Sequence, residues 1–265
     1  MTLRRRLACA ACCALLSVTL LVAAPCPRAA ASDFYELQIY TVETAPLGHF
    51  MLELHSNSVT DAYNHHTELP LYQLHNTLEL TYGLLSWLEV GQYLCTARLN
   101  AGTYAYAGGR TKVHFSLPQT EPWPIQFGVN IELQYMRREA VTDPFNIEVM
   151  PIIQSELKGF LLVANLSFEK QFSGPGTHAG VGFGPAGEIT YRLHDRLAWL
   201  EPALEYYGDL GPLKEPSGLN QQQHFIVPSV NLYLTPPLEF NLGVGVGLTR
   251  AYSGDFIKTT VGWVF

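Results

Sequence analysis

Three things are scarce in this 265-residue chain: cysteine, basic charge and, past its start, long apolar runs. Of five Cys, four (Cys9, Cys12, Cys13 and Cys26) fall in the first 31 residues, which leaves Cys95 alone in the rest. That excludes an internal disulfide framework beyond residue 31 and leaves Cys95 to read as a packed strand residue. Lys and Arg number 16 against 23 Asp and Glu. Residues 1–31 carry Arg4, Arg5, Arg6 and Arg28 but no acid, so the remainder holds 12 bases against 23 acids, a net charge of −11. Such a surface argues against nucleic acid as a partner. After residue 31 no apolar stretch approaches the roughly 18 residues of a membrane helix.

What is present at the start is an export signal. Arg4-Arg5-Arg6 forms a basic region, Leu7 to Ala24 an apolar one, and Ala29-Ala30-Ala31 a small-residue cleavage site before Ser32. Pro25 and Arg28 break the apolar run, so residues 1–31 read as a removable signal and not an anchor. Residues 32–48 form an N-terminal segment expected either in the periplasm or inside a lumen.

From residue 49 to 265 the pattern is alternation. Leu74, Leu78, Leu80 and Tyr82 oppose His75, Thr77, Glu79 and Thr81, the apolar-out, polar-in dyad of a lipid-facing strand. A soluble sandwich shows the same period, so the count decides. About twelve such stretches of roughly 10 residues are readable, longer than most globular strands and even in number. Short connectors such as Thr235-Pro236-Pro237 alternate with longer ones such as 59–71 and 208–223. With 14 Tyr, 13 Phe, 4 Trp and 22 Gly, the fold class expected is all-β: a transmembrane antiparallel barrel of about 12 strands.

The last stretch, Asp255 to Phe265, places Ile257, Thr259, Val261, Trp263 and Phe265 on one face. It resembles the C-terminal signal read by the bacterial barrel-assembly machinery, with Lys258 as its polar residue, Trp263-x-Phe265 as its aromatic pair and Thr260 where Gly is common. The hairpin Tyr82-Gly83-Leu84-Leu85-Ser86-Trp87-Leu88-Glu89-Val90-Gly91 resembles the Tyr-Gly-apolar-Thr-Asp-x-Leu-Glu-x-Gly turn of a large family of Gram-negative outer-membrane barrels. Some of its members carry a phenol-degradation (MetA-pathway) or transporter designation. Leu85-Ser86-Trp87 departs from the family's turn residues. The resemblance implies an outer-membrane location, with lipid, the assembly machinery and an unidentified small solute as partners.

If the apolar face meets lipid, Glu53, His75, Glu79, Arg110, Lys112, His114, Glu132, Glu148, Glu188, Glu201 and Glu205 face the lumen. Carboxylates with a few bases suit a passive pore for small polar or cationic solutes. The same groups paired and packed together give a filled, non-conducting barrel. Arg110, Lys112 and His114 make a basic ladder that pairs most simply with Glu132 on the next strand. His55, His65, His66 and His75, in the first hairpin, are weak metal-ligand candidates; the hairpin has neither His-Glu-x-x-His nor a Cys partner. A lipid-modifying hydrolase is the third reading, but no convincing Ser–His pair or triad is visible, and no catalytic residue is assigned. Gly243-Val-Gly-Val-Gly247 is a strand with one bare face and not a dinucleotide fingerprint, so no cofactor is expected.

Overall fold

The computed structural model describes residues 34–59, 74–98, 103–118, 123–235, 237–251 and 254–265. Twelve strands follow in order: β1 (Phe50–Val59), β2 (Leu74–Leu85), β3 (Leu88–Arg98), β4 (Tyr104–Ser116), β5 (Ile125–Met136) and β6 (Phe145–Leu157). Then come β7 (Phe160–Gln171), β8 (Val181–Tyr191), β9 (Leu200–Asp209), β10 (Gln223–Thr235), β11 (Leu238–Gly247) and β12 (Phe256–Val264). Each pairs antiparallel with its sequence neighbours, and β1 closes on β12 from Met51↔Val264 to Val59↔Phe256. The expected twelve-stranded barrel is the fold.

Alternation sets which face each residue takes. Along β1, Leu52 and Leu54 are exposed while Glu53, His55 and Asn57 between them are buried. Along β2, Leu78 and Leu80 are exposed while Thr77, Glu79 and Thr81 are buried. Apolar side chains out and charged ones in reverses the order of a water-soluble protein; it is the order of a barrel with lipid outside. Aromatic residues gather at both rims of the outer face. Phe50 lies against Tyr82 and Phe265, Trp87 against Phe115, and Phe160 against Tyr191 at the end of the short turns. Phe145 with Phe172 and Phe168 with Phe183 lie toward the other end. Two such girdles flanking an apolar band fit a bilayer with its interfaces.

Alternation alone reads three of these strands as Gly109–Leu117, Phe145–Gln154 and Leu197–Tyr207, and the structure moves those bounds. β4 begins at Tyr104 and not Gly109, because a bulge lets the strand continue: Cys95 pairs with Gly108, and Thr96 with Tyr106. Gly108 has φ +146°, and a Cβ there would lie 2.5 Å from the Met136 Cα, so the kink needs glycine. β6 runs on to Leu157 because only Lys158 and Gly159, both at positive φ, are needed to reverse the chain. β9 starts at Leu200, since Asp195–Leu197 forms a 3₁₀ turn.

Residues 34–47 lie inside the barrel. They contact buried side chains of β1, β2, β3, β4, β6, β7 and β12, which surround them on all sides. Phe34 packs with Val59, Phe225 and Phe256 at the long-loop end. Leu47 bridges Gly83 at the short-turn end, and a turn closed by the His49 N–H to the Pro46 carbonyl (2.9 Å) leads into β1. The segment therefore runs the length of the lumen; we call it the strap.

Candidate functional site

A closed barrel leaves no free sheet edge, so an extended segment inside it must find other partners for its peptide groups. Here side chains of the wall supply them. The Asn57 amide donates to the Phe34 carbonyl (2.8 Å), the Thr77 hydroxyl to the Tyr35 carbonyl (2.8 Å), and the Lys258 ammonium to the Leu37 carbonyl (3.0 Å). Asn165 grips Tyr40 twice, accepting from its N–H at 2.7 Å and donating to its carbonyl at 2.8 Å. The Val42 N–H donates to Gln154 (3.0 Å), and the Ala45 N–H to the Glu89 carboxylate. Six wall residues thus bind six strap residues, all through side chains.

Between these polar anchors lie apolar patches of the inner wall. Tyr35 packs on Tyr93, Cys95, Ala97, Ala107, Met136 and Ala140. Phe34 and Leu37 sit on Val59, Phe225, Val227 and Phe256; Ile39, Tyr40 and Val42 sit on Ile152, Leu161 and Val163. The bare face of β11 makes room for this filling: a Cβ at Gly245 would lie 2.1 Å from the Phe256 ring, and one at Gly243 2.8 Å from Val227. With every strap apolar side chain from Phe34 to Val42 buried, hydrophobic burial and the side-chain bonds hold it together.

The charged groups form three clusters. In the first, Arg110 meets the strap's Glu36 at 2.8 Å and Glu132 at 3.2 Å. The Tyr40 hydroxyl lies in the same cluster, 2.8 Å from Glu132 and from the Tyr93 hydroxyl and bonded to Glu36. In the second, Lys112 joins Glu79 and Glu89 (3.0 Å), with His55 3.3 Å from Glu79 and His114 3.9 Å from Glu89. In the third, Lys258 pairs with Glu205, which also accepts from Tyr207 at 2.6 Å. Each is almost fully shielded from solvent, where breaking one partner leaves an uncompensated charge.

The basic ladder of β4 is thus split, and this corrects the pairing read from sequence. Lys112 stands opposite Glu132 in register, yet its ammonium goes the other way, to Glu79 and Glu89 on β2 and β3. Arg110 takes Glu132 instead. Gly91 permits this, since a Cβ there would lie 3.1 Å from the Lys112 Cε. Of the other expected lumen residues, Glu53 and His75 are buried, and His75 packs edge-on against Tyr35 at 4.7 Å between ring centroids. Glu148 accepts from Ser167 and Glu188 from Thr190, while Glu201 sits toward the short-turn end, 3.7 Å from Arg192. Trp263 and Phe265 are exposed on the outer face, and Lys258 is buried on the inner one. Of the four candidate metal ligands, His65 and His66 lie outside the described residues, and among the described ones His55 is grouped with the buried carboxylates of Glu53 and Glu79.

The hairpin motif at 82–91 has a local physical explanation. Gly83 lies where the strap leaves the lumen; a Cβ there would sit 2.2 Å from the Pro46 carbonyl oxygen. Glu89 binds both the strap's Ala45 N–H and Lys112. Sequence reasoning did not single out Glu36, Tyr40, Asn57, Thr77, Glu89, Tyr93, Gln154 or Asn165. The alternation placed Asn57 and Thr77 on the polar face, but nothing in it marked a strap as their partner.

No family model matches the sequence, and no curated protein matches it. Among solved structures the chain is similar to the COG4313 outer membrane channel from Pseudomonas putida F1, with a TM-score of 0.61 and 13% identity over 87% of this chain and 100% of that one. It is also similar to the KdgM porin in complex with disordered oligogalacturonate, with a TM-score of 0.52 and 9% identity over 82% and 99% of the two chains. At such identities the likeness is one of fold: this chain has the fold of outer-membrane β-barrels.

Proposed function

We propose that this chain is an outer-membrane channel for small solutes, closed in this conformation by the strap. The observation that carries the reading is the way the strap is held. The barrel's backbone ladder is continuous around the circumference without it, and from Phe34 to Ala45 wall side chains anchor it, with a backbone bridge from Leu47 to Gly83 where it exits, so residues 34–45 can leave without unravelling the sheet. The two fold neighbours, a channel and a porin by name, support the same reading. The carboxylates Glu53, Glu79, Glu132, Glu148, Glu188, Glu201 and Glu205 outnumber Arg110, Lys112 and Lys258 on the inner wall, which favours cations over anions once the lumen opens. In this reading residues 1–31 direct export, β12 engages the assembly machinery, and the hairpin at 82–91 relates the chain to the MetA-designated barrel family.

The test is conductance in planar bilayers, comparing the refolded protein with a variant whose residues 34–45 are deleted. The deletion is expected to give steady, cation-selective current that weakens in Glu132→Gln and Glu148→Gln. A folded deletion variant that stays silent overturns the channel. The filled lumen would then belong to a non-conducting barrel with a binding or structural role.

A further inference from the structure

We propose that Glu53, His55 and Glu79 form a binding site for one divalent transition-metal ion on the inner wall. The site spans one strand pair. Glu53 and Glu79 are direct cross-strand partners, and His55 lies two residues beyond Glu53 on the same face. One ligand atom from each lies within 4.8 Å of the other two, and all three side chains are buried. Like charges directly opposite on a ladder repel; a cation between them turns that repulsion into two attractions.

The polar partners are arranged as a metal site requires. Lys112 and Thr81 both bind Oε1 of Glu79, which leaves Oε2 facing Nε2 of His55. The Thr260 hydroxyl lies 3.4 Å from Nδ1 of His55 and is an outer partner for that nitrogen when Nε2 binds an ion. The separation between His55 Nε2 and Glu79 Oε2 is 3.3 Å. That is long for a hydrogen bond, but it is the spacing two tetrahedral ligands adopt on an ion with bonds of roughly 2.0–2.1 Å. Glu53, only 6% exposed, has an Oε2 with no hydrogen-bond partner among the described residues, and it belongs to this group. The charge also balances: Lys112 pairs with Glu79 and Glu89, so the three carboxylates, when all are ionised around a bound cation, hold two negative charges in excess. One divalent ion neutralises them. One imidazole with two carboxylates suits Zn²⁺ and similar ions better than hard Mg²⁺ or soft Cu⁺.

The full chain is refolded with Zn²⁺ present, so that the strap does not bar entry, then desalted and its zinc counted by mass spectrometry. About one equivalent is expected, with an X-ray absorption spectrum of one imidazole and carboxylate oxygens at roughly 2.0–2.2 Å. In Glu53→Gln and His55→Gln, retained zinc should fall about tenfold or more while heat-modifiable migration stays intact. A variant carrying both His65→Ala and His66→Ala should keep its ion. A wild type that retains no zinc, a His55→Gln variant that retains all of it, or loss of the ion with His65 and His66 overturns the site. Should the Gln variants not fold, the wild-type spectrum decides, and one showing several imidazoles or none overturns it too.

Discussion

The Asn165–Tyr40 contact gives the sharpest prediction about the strap. Asn165 is fully buried on β7, and its one amide group satisfies both the N–H and the carbonyl of Tyr40, at 2.7 and 2.8 Å. Asn165→Ala removes both bonds and leaves two buried backbone groups unpaired for as long as the strap stays in place. Each such group costs roughly 1–3 kcal/mol, and both recover water when the strap leaves. Partial relaxation of the strap reduces the total, so we expect a net shift of about 2–4 kcal/mol toward release. At about 1.4 kcal/mol per factor of ten, the released population should rise roughly 30- to 700-fold. Two assays read this: the Tyr40 amide should exchange with deuterium faster by that factor, and channel openings should become correspondingly more frequent. Asn241→Ala is the control, because Asn241 donates to Asn231 (2.6 Å) and does not anchor the strap. Equal exchange and equal opening in the two variants would refute the claim that side-chain bonds to the strap's backbone keep it in the lumen.

Three further perturbations test other parts of the argument. Arg110→Met leaves Glu36 and Glu132 without their shared cation, and urea unfolding should show a loss of roughly 3–5 kcal/mol; under about 1 kcal/mol the cluster would be dispensable. Gly83→Ala places a Cβ 2.2 Å from the Pro46 carbonyl oxygen, so strap amides should exchange faster while heat-modifiable migration persists; unchanged exchange would mean that the hairpin glycine does not serve the strap. Gly245→Ala drives a Cβ into the Phe256 ring at 2.1 Å and should cost roughly 1–3 kcal/mol in unfolding, whereas Gly182→Ala, whose nearest neighbour is 3.8 Å away, should cost far less; equal costs would show that the bare face of β11 is not packing space.

The barrel was legible because its rule is local. Leu78 and Leu80 alternating with Thr77, Glu79 and Thr81 fix two faces within five residues, and the same rule applied twelve times yields the closed sheet. The bulge at Gly108 was hidden, because glycine in a Gly/Tyr-rich stretch looks like a loop until the Cys95–Gly108 register is known. The direction of Lys112 was hidden for a similar reason. Register places it beside Glu132, but barrel tilt and the bare Gly91 open a route to Glu79 and Glu89, and alternation contains no information about diagonals. The strap was the least legible element. Phe34 to Val42 is buried by walls on all sides, so it lacks the one-sided pattern by which a strand is recognised.

That last failure follows from how the strap is bound. A segment that joined the sheet would use backbone bonds, which any sequence can make, and it could not leave without opening the barrel. A segment inside a closed barrel has to be bound by side chains, and those side chains look in sequence like ordinary polar residues of the inward face: Asn57, Thr77, Gln154, Asn165 and Lys258. Asn57, Thr77 and Glu89 lie 23, 42 and 44 residues from their strap partners, but Gln154 is 112 from Val42, Asn165 is 125 from Tyr40, and Lys258 is 221 from Leu37. Such long-range contacts form only after most of the barrel has closed, because Asn165 and Lys258 lie on β7 and β12. The strap is then the last element to be completed and the first that can be withdrawn. The order in which the structure assembles and the gating proposed for the strap therefore have a common cause, the lack of any free backbone edge inside the barrel.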